Sequence, residues 1–542
     1  MNRRNFIKNG AAAGVISTLG ASAANTLNPQ LTLPAENIDT DKFELNELTV
    51  LQLQEMMQSG KLSSKSLTKM YLRRIEDIDK KGPKLNAVIE INPDAIAIAN
   101  SLDAERKAGK IRSPLHGIPI LIKDNINTGD KMQTTAGALA LAGNIASADA
   151  FIVKQLRAAG AVILGKTNLS EWANFRSTRS CSGWSSRGGQ TKNPFILDRS
   201  PSGSSSGSGA AVSANLCAIA IGTETNGSII APSSYSGVVG FKPTVGLVSR
   251  SGIIPISKTQ DTAGPMARTV TDAAILLTAI AGVDLDDEAT KDSEGRAQKD
   301  YTAFLKNGDL KGKRIGIEKS FLTGHEGVVQ LYQNAIAKLK ELGAEIIEIS
   351  LLAEMRSIGG ASTIVLQTEF KDGVNAYLKK ANAKVKTLTE VIAFNKENAT
   401  SAMPYFKQET LEASDKAGDL NSQNYKDAVA KTLSSQKIIN DLMEKNKLDV
   451  IVGTSFGIPS LIDLFNGDYS GGFYFASPAA MAGFPHITVP MGFINELPVG
   501  LSFVASAFQE PVVLSIAYIY EQATKHRKAP KFIKNSNFSS GV

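Results

Sequence analysis

The stretch from Arg199 to Pro232, RSPSGSSSGSGAAVSANLCAIAIGTETNGSIIAP, constrains the chain more than any other. Eight consecutive Ser or Gly residues, Ser202 to Gly209, open it. Small apolar residues follow from Ala210 to Ile221, and a second Gly-Ser turn, Gly227-Ser228, closes it. Glycine needs no Cβ clearance, so such a run lets backbone N–H groups crowd a small space. Two hydroxyl-bearing turns joined by a buried helix suit a site that holds two serines. A flexible Gly/Ser linker would lead to another domain. This run leads straight into sequence that reads as core.

The rest of the chain narrows the choice of function. A length of 542 residues allows roughly three or four domains, but no Pro-rich or charged linker divides it. With 42% hydrophobic and 20% charged residues, the composition supports a large core. Arg3, Arg4 and Lys8 are the charged residues of positions 1–23, and the net charge of +7 falls to +4 without them. The segment KHRKAPKFIK accounts for that remainder, and residues 524–542 are expected to form a basic flexible tail. No basic face interleaves with aromatics, which argues against nucleic acid as a partner. No apolar run reaches 18 residues, so no membrane span is expected.

Residues 1–23 read as a twin-arginine signal peptide. Asn2-Arg3-Arg4-Asn5-Phe6-Ile7-Lys8 precedes a weakly apolar run, Ala11 to Leu19, and the small-residue cleavage site Ala21-Ser22-Ala23. The expectation is a protein exported folded by the twin-arginine machinery to a periplasm or the medium. Cys181 and Cys217, the two cysteines, are expected as free thiols. The four histidines, His116, His325, His486 and His526, share no ligand spacing, so no metal is expected.

Three motifs mimic other chemistries. Gly160-Ala161-Val162-Ile163-Leu164-Gly165-Lys166-Thr167 fits the Walker A pattern. A phosphate loop needs a strand before it and a flexible turn between the glycines. Here a helix precedes, and Ala-Val-Ile-Leu between the glycines reads as a strand. Gly203-Ser204-Ser205-Ser206-Gly207 fits the nucleophile elbow, with Ser205 as nucleophile and His486 as its best histidine. The preceding KNPFILDRSPS is too polar for the buried strand that an elbow requires. Ser66-Leu67-Thr68-Lys69 fits Ser-x-x-Lys but begins an amphipathic, surface-facing helix.

Apolar Ile118 to Ile122 reads as a buried strand, and Lys123 follows it directly. Lys313–Glu318, Gly327–Leu342 and Ala344–Ser350 alternate strand, helix, strand, a pattern that predicts a largely parallel sheet. Residues 351–447 read as a helical, cap-like insertion.

The signature stretch resembles the amidase signature family, whose usual form is Gly-Gly-Ser-Ser-Gly-Gly followed by Asp-x-Gly-Gly-Ser. Here Ser202-Gly203-Ser204-Ser205-Ser206-Gly207 and Glu224-Thr225-Asn226-Gly227-Ser228 stand in those places. HGIPILIKDN supplies a lysine, Lys123. GAVILGKTNLSEW, GFKPTVGLVSRSGIIP, QDTAGPMAR and GFPHITVPMG also resemble family segments. The likeness spans residues 45–523.

By resemblance Ser228 is the nucleophile, Ser204 the bridging serine and Lys123 the base. The backbone N–H groups of Thr225, Asn226, Gly227 and Ser228 would form the oxyanion hole. The implied fold is one large α/β domain with a mixed, mostly parallel central sheet flanked by helices. No cofactor is implied. Glu224 replaces the usual Asp, Asn226 a Gly, and Ile230 the Arg of many members. Asn226 is expected to tolerate left-handed geometry there.

These departures are most similar to the bacterial peptide amidase branch, which removes C-terminal amides from peptides. The expected partner is thus a small-molecule or peptide amide. Aryl acylamidase, fatty-acyl amide hydrolase and a non-catalytic exported binding protein are the alternatives. Phe473, Tyr474 and Phe475, behind the Gly471-Gly472 pair, are expected to wall the substrate pocket; the alternative places both Phe in the core with Tyr474 turned out.

Overall fold

The apolar runs of the sequence become strands of one sheet. The computed structural model describes residues 43–469 and 471–535; the signal-peptide reading of Arg3 and Arg4 falls outside them. The strands are β1 (Val88–Ile91), β2 (Pro119–Lys123), β3 (Val162–Thr167), β4 (Trp184–Ser185), β5 (Gly189–Gln190), β6 (Ile219–Glu224) and β7 (Val239–Lys242). They continue with β8 (Thr262–Ala267), β9 (Arg314–Glu318), β10 (Glu345–Ile349), β11 (Val450–Thr454), β12 (His486–Ile494) and β13 (Leu497–Val504). Among the described residues, an 11-stranded sheet runs in the order β1-β3-β2-β6-β8-β7-β12-β13-β11-β9-β10, and β4 and β5 pair separately.

The sheet is mixed and flanked by helices. Parallel pairing joins β3, β2 and β6 at one end and β11, β9 and β10 at the other. The middle, from β6 through β8, β7, β12 and β13, is antiparallel. Every residue of β2, β3 and β6 is buried, as strands covered on both faces require.

Two registers position the signature. Ile122 pairs with Ile221 in parallel, so Lys123 and Thr223 leave the sheet at the same end. Glu224 pairs with Thr262, which brings Asp261 beside Thr225. The helix Ser206–Ser213 is buried at all its positions. A Cβ at Gly207 would sit 2.2 Å from the Ala87 carbonyl oxygen, so glycine alone lets the helix pack so closely. The expected helix between the two serine turns is present but short, and β6 completes the connection.

The insertion is helical, with Ala361–Lys380, Leu388–Glu397 and Gln423–Asn446 as its longest helices. It makes its own core with the main body: Phe370, Val374 and Leu378 pack with Trp172, Ile254 and Ile256. The Walker-like glycine, Gly165, lies inside β3, and Lys166 Nζ is spent on Ile126 O at 2.7 Å, Gln133 O at 2.9 Å and Thr134 Oγ1 at 3.0 Å. Ser66 serves a capping box with Ser63 at the start of Ser64–Arg74. Cys181 and Cys217 are buried thiols.

Of the expected basic tail, residues 536–542 lie outside the described residues, and the part before them is held by contacts. Residues 525–535 lie against the body. The Arg527 guanidinium grips the Glu47 carboxylate through Nη2 and Nε, at 2.9 and 3.1 Å, and Nη2 also donates to the Ser213 carbonyl at 2.7 Å. Ile533 bridges to Ile196, and Phe532 is buried. The cluster of positive charge masked an arginine whose partner lies 480 residues away. Arg527→Ala is expected to destabilise the fold by about 3 kcal/mol, because it breaks a partly buried bidentate pair. Lys531→Ala, at an exposed pair with Glu496, is expected to cost less than about 1 kcal/mol. Urea midpoints of the two variants test the ranking.

Candidate active site

Lys123 ends a fully buried strand, so its ammonium has no route to water. Its Nζ lies 2.8 Å from Ser204 Oγ, 3.0 Å from Ser205 Oγ, 2.9 Å from Thr223 Oγ1 and 3.1 Å from Thr223 O. All four are neutral oxygens. Burial lowers the lysine pKa to about 7, while the carboxylates of Asp261 and Glu224 pull it the other way. A neutral amine has one lone pair to accept a proton, and the Ser204 hydroxyl is within reach of it. Ser205 is occupied structurally: its hydroxyl donates to Thr223 O at 3.0 Å and accepts the Thr223 N–H at 3.2 Å.

The second serine turn is tied to the first. Ser205 N–H donates to the Ser228 carbonyl at 3.1 Å. Glu224, in the place of the family's usual Asp, caps the next segment: its Oε2 accepts the N–H groups of Ile229 at 2.7 Å and Ile230 at 3.0 Å. Ile230 is wholly buried in the short helix Ile230–Tyr235. The left-handed residue of the turn is Gly227, at φ 83°, and not Asn226. Asn226 therefore needs no special backbone tolerance, contrary to the expectation. Its side chain oxygen instead accepts from Tyr474 OH at 2.9 Å and Ser477 Oγ at 3.1 Å. A Cβ at Gly227 would lie 2.1 Å from the Tyr474 oxygen, so the tyrosine and the glycine require each other.

Ser228, Thr225, Asn226 and Tyr474 line a cavity of about 440 Å³. Leu366 from the insertion closes part of it, which places the helical segment over the site. One wall, Ala173 to Phe175, overlaps a run of three consecutive left-handed residues, Trp172 at φ 55°, Ala173 at 54° and Asn174 at 69°. Such geometry costs energy in non-glycine residues and persists only where neighbours enforce it. Here a buried pair, Arg176 to Glu171 at 3.1 Å, holds the segment, and the guanidinium stacks on Trp184 and Phe406.

The pocket walls expected from Phe473 and Phe475 are corrected. Both are buried in the core, with the Phe321 ring centroid 5.7 Å from each. Strand-like alternation sends the two Phe to one side and Tyr474 to the other, where it meets the Ser228 turn. Burial pushes the Tyr474 hydroxyl far above its usual range, so it stays a donor. A Cβ at Gly472 would meet nothing within 4 Å, so that glycine provides backbone freedom at φ 84° and no close approach.

His486 stands apart from the serines. Its Nε2 meets Ser502 Oγ at 2.6 Å, and burial, with Lys242 nearby, lowers its pKa to about 3. It is therefore neutral and engaged elsewhere, and Ser205 has no histidine base. Sequence reasoning missed the groups that hold Lys123 and the turn. Thr223 and Asn125 are linked at 3.0 Å, and Gln260 Nε2 donates to Thr225 O at 3.2 Å. The Asp261 carboxylate accepts from Thr225 Oγ1, Ile256 N–H and Ser257 N–H. The available signals were KDN, directly after the strand, and QDT in QDTAGPMAR.

A lysine whose pKa is lowered in the fold binds fewer protons folded than unfolded between about pH 7 and 10.5. Its cost to stability is full below pH 7 and fades as pH rises through that window. Relative to Lys123→Met, the native chain is expected to gain about 4 kcal/mol of stability between pH 7 and 10. Denaturant unfolding of both proteins across that range checks the sign; a constant difference would refute a depressed lysine. Gly227→Ala is expected to displace Tyr474 and abolish activity, read by amide turnover.

The sequence profile of the Amidase family matches residues 66–514. A probable amidase of Arabidopsis thaliana is 42% identical over 504 residues, covering 91% of this chain and 93% of its own. The native peptide amidase of Stenotrophomonas maltophilia superposes with a TM-score of 0.86 at 47% identity, over 90% of this chain and 99% of that one. An amidase family protein of Bacillus anthracis gives 0.83 at 39% identity, over 92% and 96%. With that breadth of similarity, this chain is an amide-hydrolysing enzyme and belongs to the amidase signature family.

Proposed function

We propose that this enzyme hydrolyses the C-terminal carboxamide of peptides, with Ser228 as nucleophile, Ser204 as proton carrier and Lys123 as base. The observation that carries the reading is the buried Lys123 amine, of pKa about 7, 2.8 Å from Ser204 Oγ. A serine hydroxyl is a weak nucleophile until a base removes its proton. Neutral Lys123 takes a proton from Ser204, which takes one from Ser228 as Ser228 Oγ attacks the amide carbon. The oxyanion that forms is met by backbone N–H groups of the Thr225–Ser228 turn. The proton then returns through Ser204 to the amide nitrogen, the C–N bond breaks and ammonia leaves. Water repeats the sequence on the acyl-serine and releases the carboxylic acid.

The peptide-amide assignment draws on the 47% identity to peptide amidase over nearly the whole of both chains. A cavity of about 440 Å³ is within the range of pockets for small molecules and suits a short peptide end. Export rests on the twin-arginine motif at Arg3 and Arg4.

Ser228→Ala is expected to lose turnover by orders of magnitude with an unchanged unfolding midpoint; near-native turnover would sink the assignment. Because the base works only when neutral, kcat/KM is expected to rise about ten-fold per pH unit below pH 7 and to level off above it. A flat profile through pH 6–8 would remove Lys123 from the role. A blocked dipeptide amide is expected to release ammonia faster than the matching anilide releases aniline; the reverse order would favour an aryl acylamidase. Arg3→Lys with Arg4→Lys is expected to retain precursor in the cytoplasm, read by fractionation.

A further inference from the structure

The cavity that contains Ser228 carries one formal charge. Among the described residues, no Lys, Arg or His lines it, and its single carboxylate is Asp468. The remaining walls are apolar or neutral, with Phe175, Leu366 and Phe456 among them. Asp468 is an exposed residue that lines the cavity, and partial desolvation raises its carboxyl pKa.

The carboxylate is held in place from behind. Ser182 N–H donates to one oxygen at 2.9 Å and the Ser182 hydroxyl donates to the other. A carboxylate offers about four acceptor positions, so capacity remains. Asn174 lines the same cavity. The backbone of Asn174, at φ 69°, is part of the left-handed segment that the Arg176–Glu171 pair enforces.

An oriented carboxylate with acceptor positions left takes further donors, and a primary ammonium supplies three. The scissile end of a peptide amide is neutral. Its other end, when free, is an ammonium with a pKa near about 8. We propose that Asp468, oriented by Ser182, binds the N-terminal ammonium of short peptide amides. This assignment rests on the peptide-amide reading and makes the enzyme selective for free over acylated N-termini. The attraction is electrostatic and partly solvated, so it weakens as salt rises.

The test compares a dipeptide amide with a free N-terminus and its N-acetyl counterpart, by ammonia release, in the native enzyme and in Asp468→Asn. Asparagine keeps the side chain's size and can still accept from Ser182 N–H, but it removes the charge. The native enzyme is expected to show a KM on the order of ten-fold lower for the free amine, as hydrogen bonds to charged groups allow. Asp468→Asn is expected to erase that preference by raising KM for the free amine alone, with kcat for it little changed. An equal loss on both substrates would mean that Asp468 only braces the wall, and would overturn the proposal. So would activity on both substrates with no native preference, which would leave the amidase reading standing. Failure of the native enzyme to cleave either amide would overturn the peptide-amide reading and the ammonium site with it.

Discussion

Everything at this site depends on one lysine kept out of water without a carboxylate in contact. Lys123 meets only hydroxyl and carbonyl oxygens, two of them from Thr223. A direct ion pair would hold the amine charged and useless as a base. Asp261 and Glu224 are near enough to moderate the shift, and each is engaged by other donors. The result is an amine poised near neutrality, where proton transfer in both directions is accessible.

Holding that arrangement explains much of the surrounding chemistry. The parallel register of β2 and β6 brings Lys123 and Thr223 to the same end of the sheet. Ligand sites of α/β sheets favour the carboxyl ends of parallel strands, where side chains leave the sheet into loops. The fully buried helix after Ser205 lies where only glycine can face the Ala87 carbonyl. The departures in the second turn are mutually consistent. Glu224 reaches the next helix's N–H groups, Asn226 takes hydrogen bonds from Tyr474 and Ser477, and Ile230 fills apolar space.

The helical insertion and the Ala173–Phe175 segment complete the pocket from outside the sheet. Their shared core, with Trp172 against Phe370 at 6.0 Å, fixes a wall whose backbone would not hold its conformation alone. This wall differs in origin from the floor that carries Lys123 and the two serine turns. The floor comes from adjacent strands, the wall from segments far apart in the chain.

The sequence alone determined the family and the framework. Two serine turns at fixed spacing, a lysine after an apolar run and strand-length apolar segments are local patterns, so they were legible residue by residue. The nucleotide-binding motif was rejected for the same reason, because Ala-Val-Ile-Leu between the glycines reads as a strand. Tertiary structure decided the rest. The lowered Lys123 pKa depends on burial by segments distant in the chain and on the charges of Asp261 and Glu224. The choice between Tyr474 and its two Phe neighbours as pocket wall turned on which side Phe321 occupies. The docking of Arg527 required Glu47 from the opposite end of the described chain. In each case the deciding quantity was desolvation or a contact between distant segments, and neither is encoded in a local pattern.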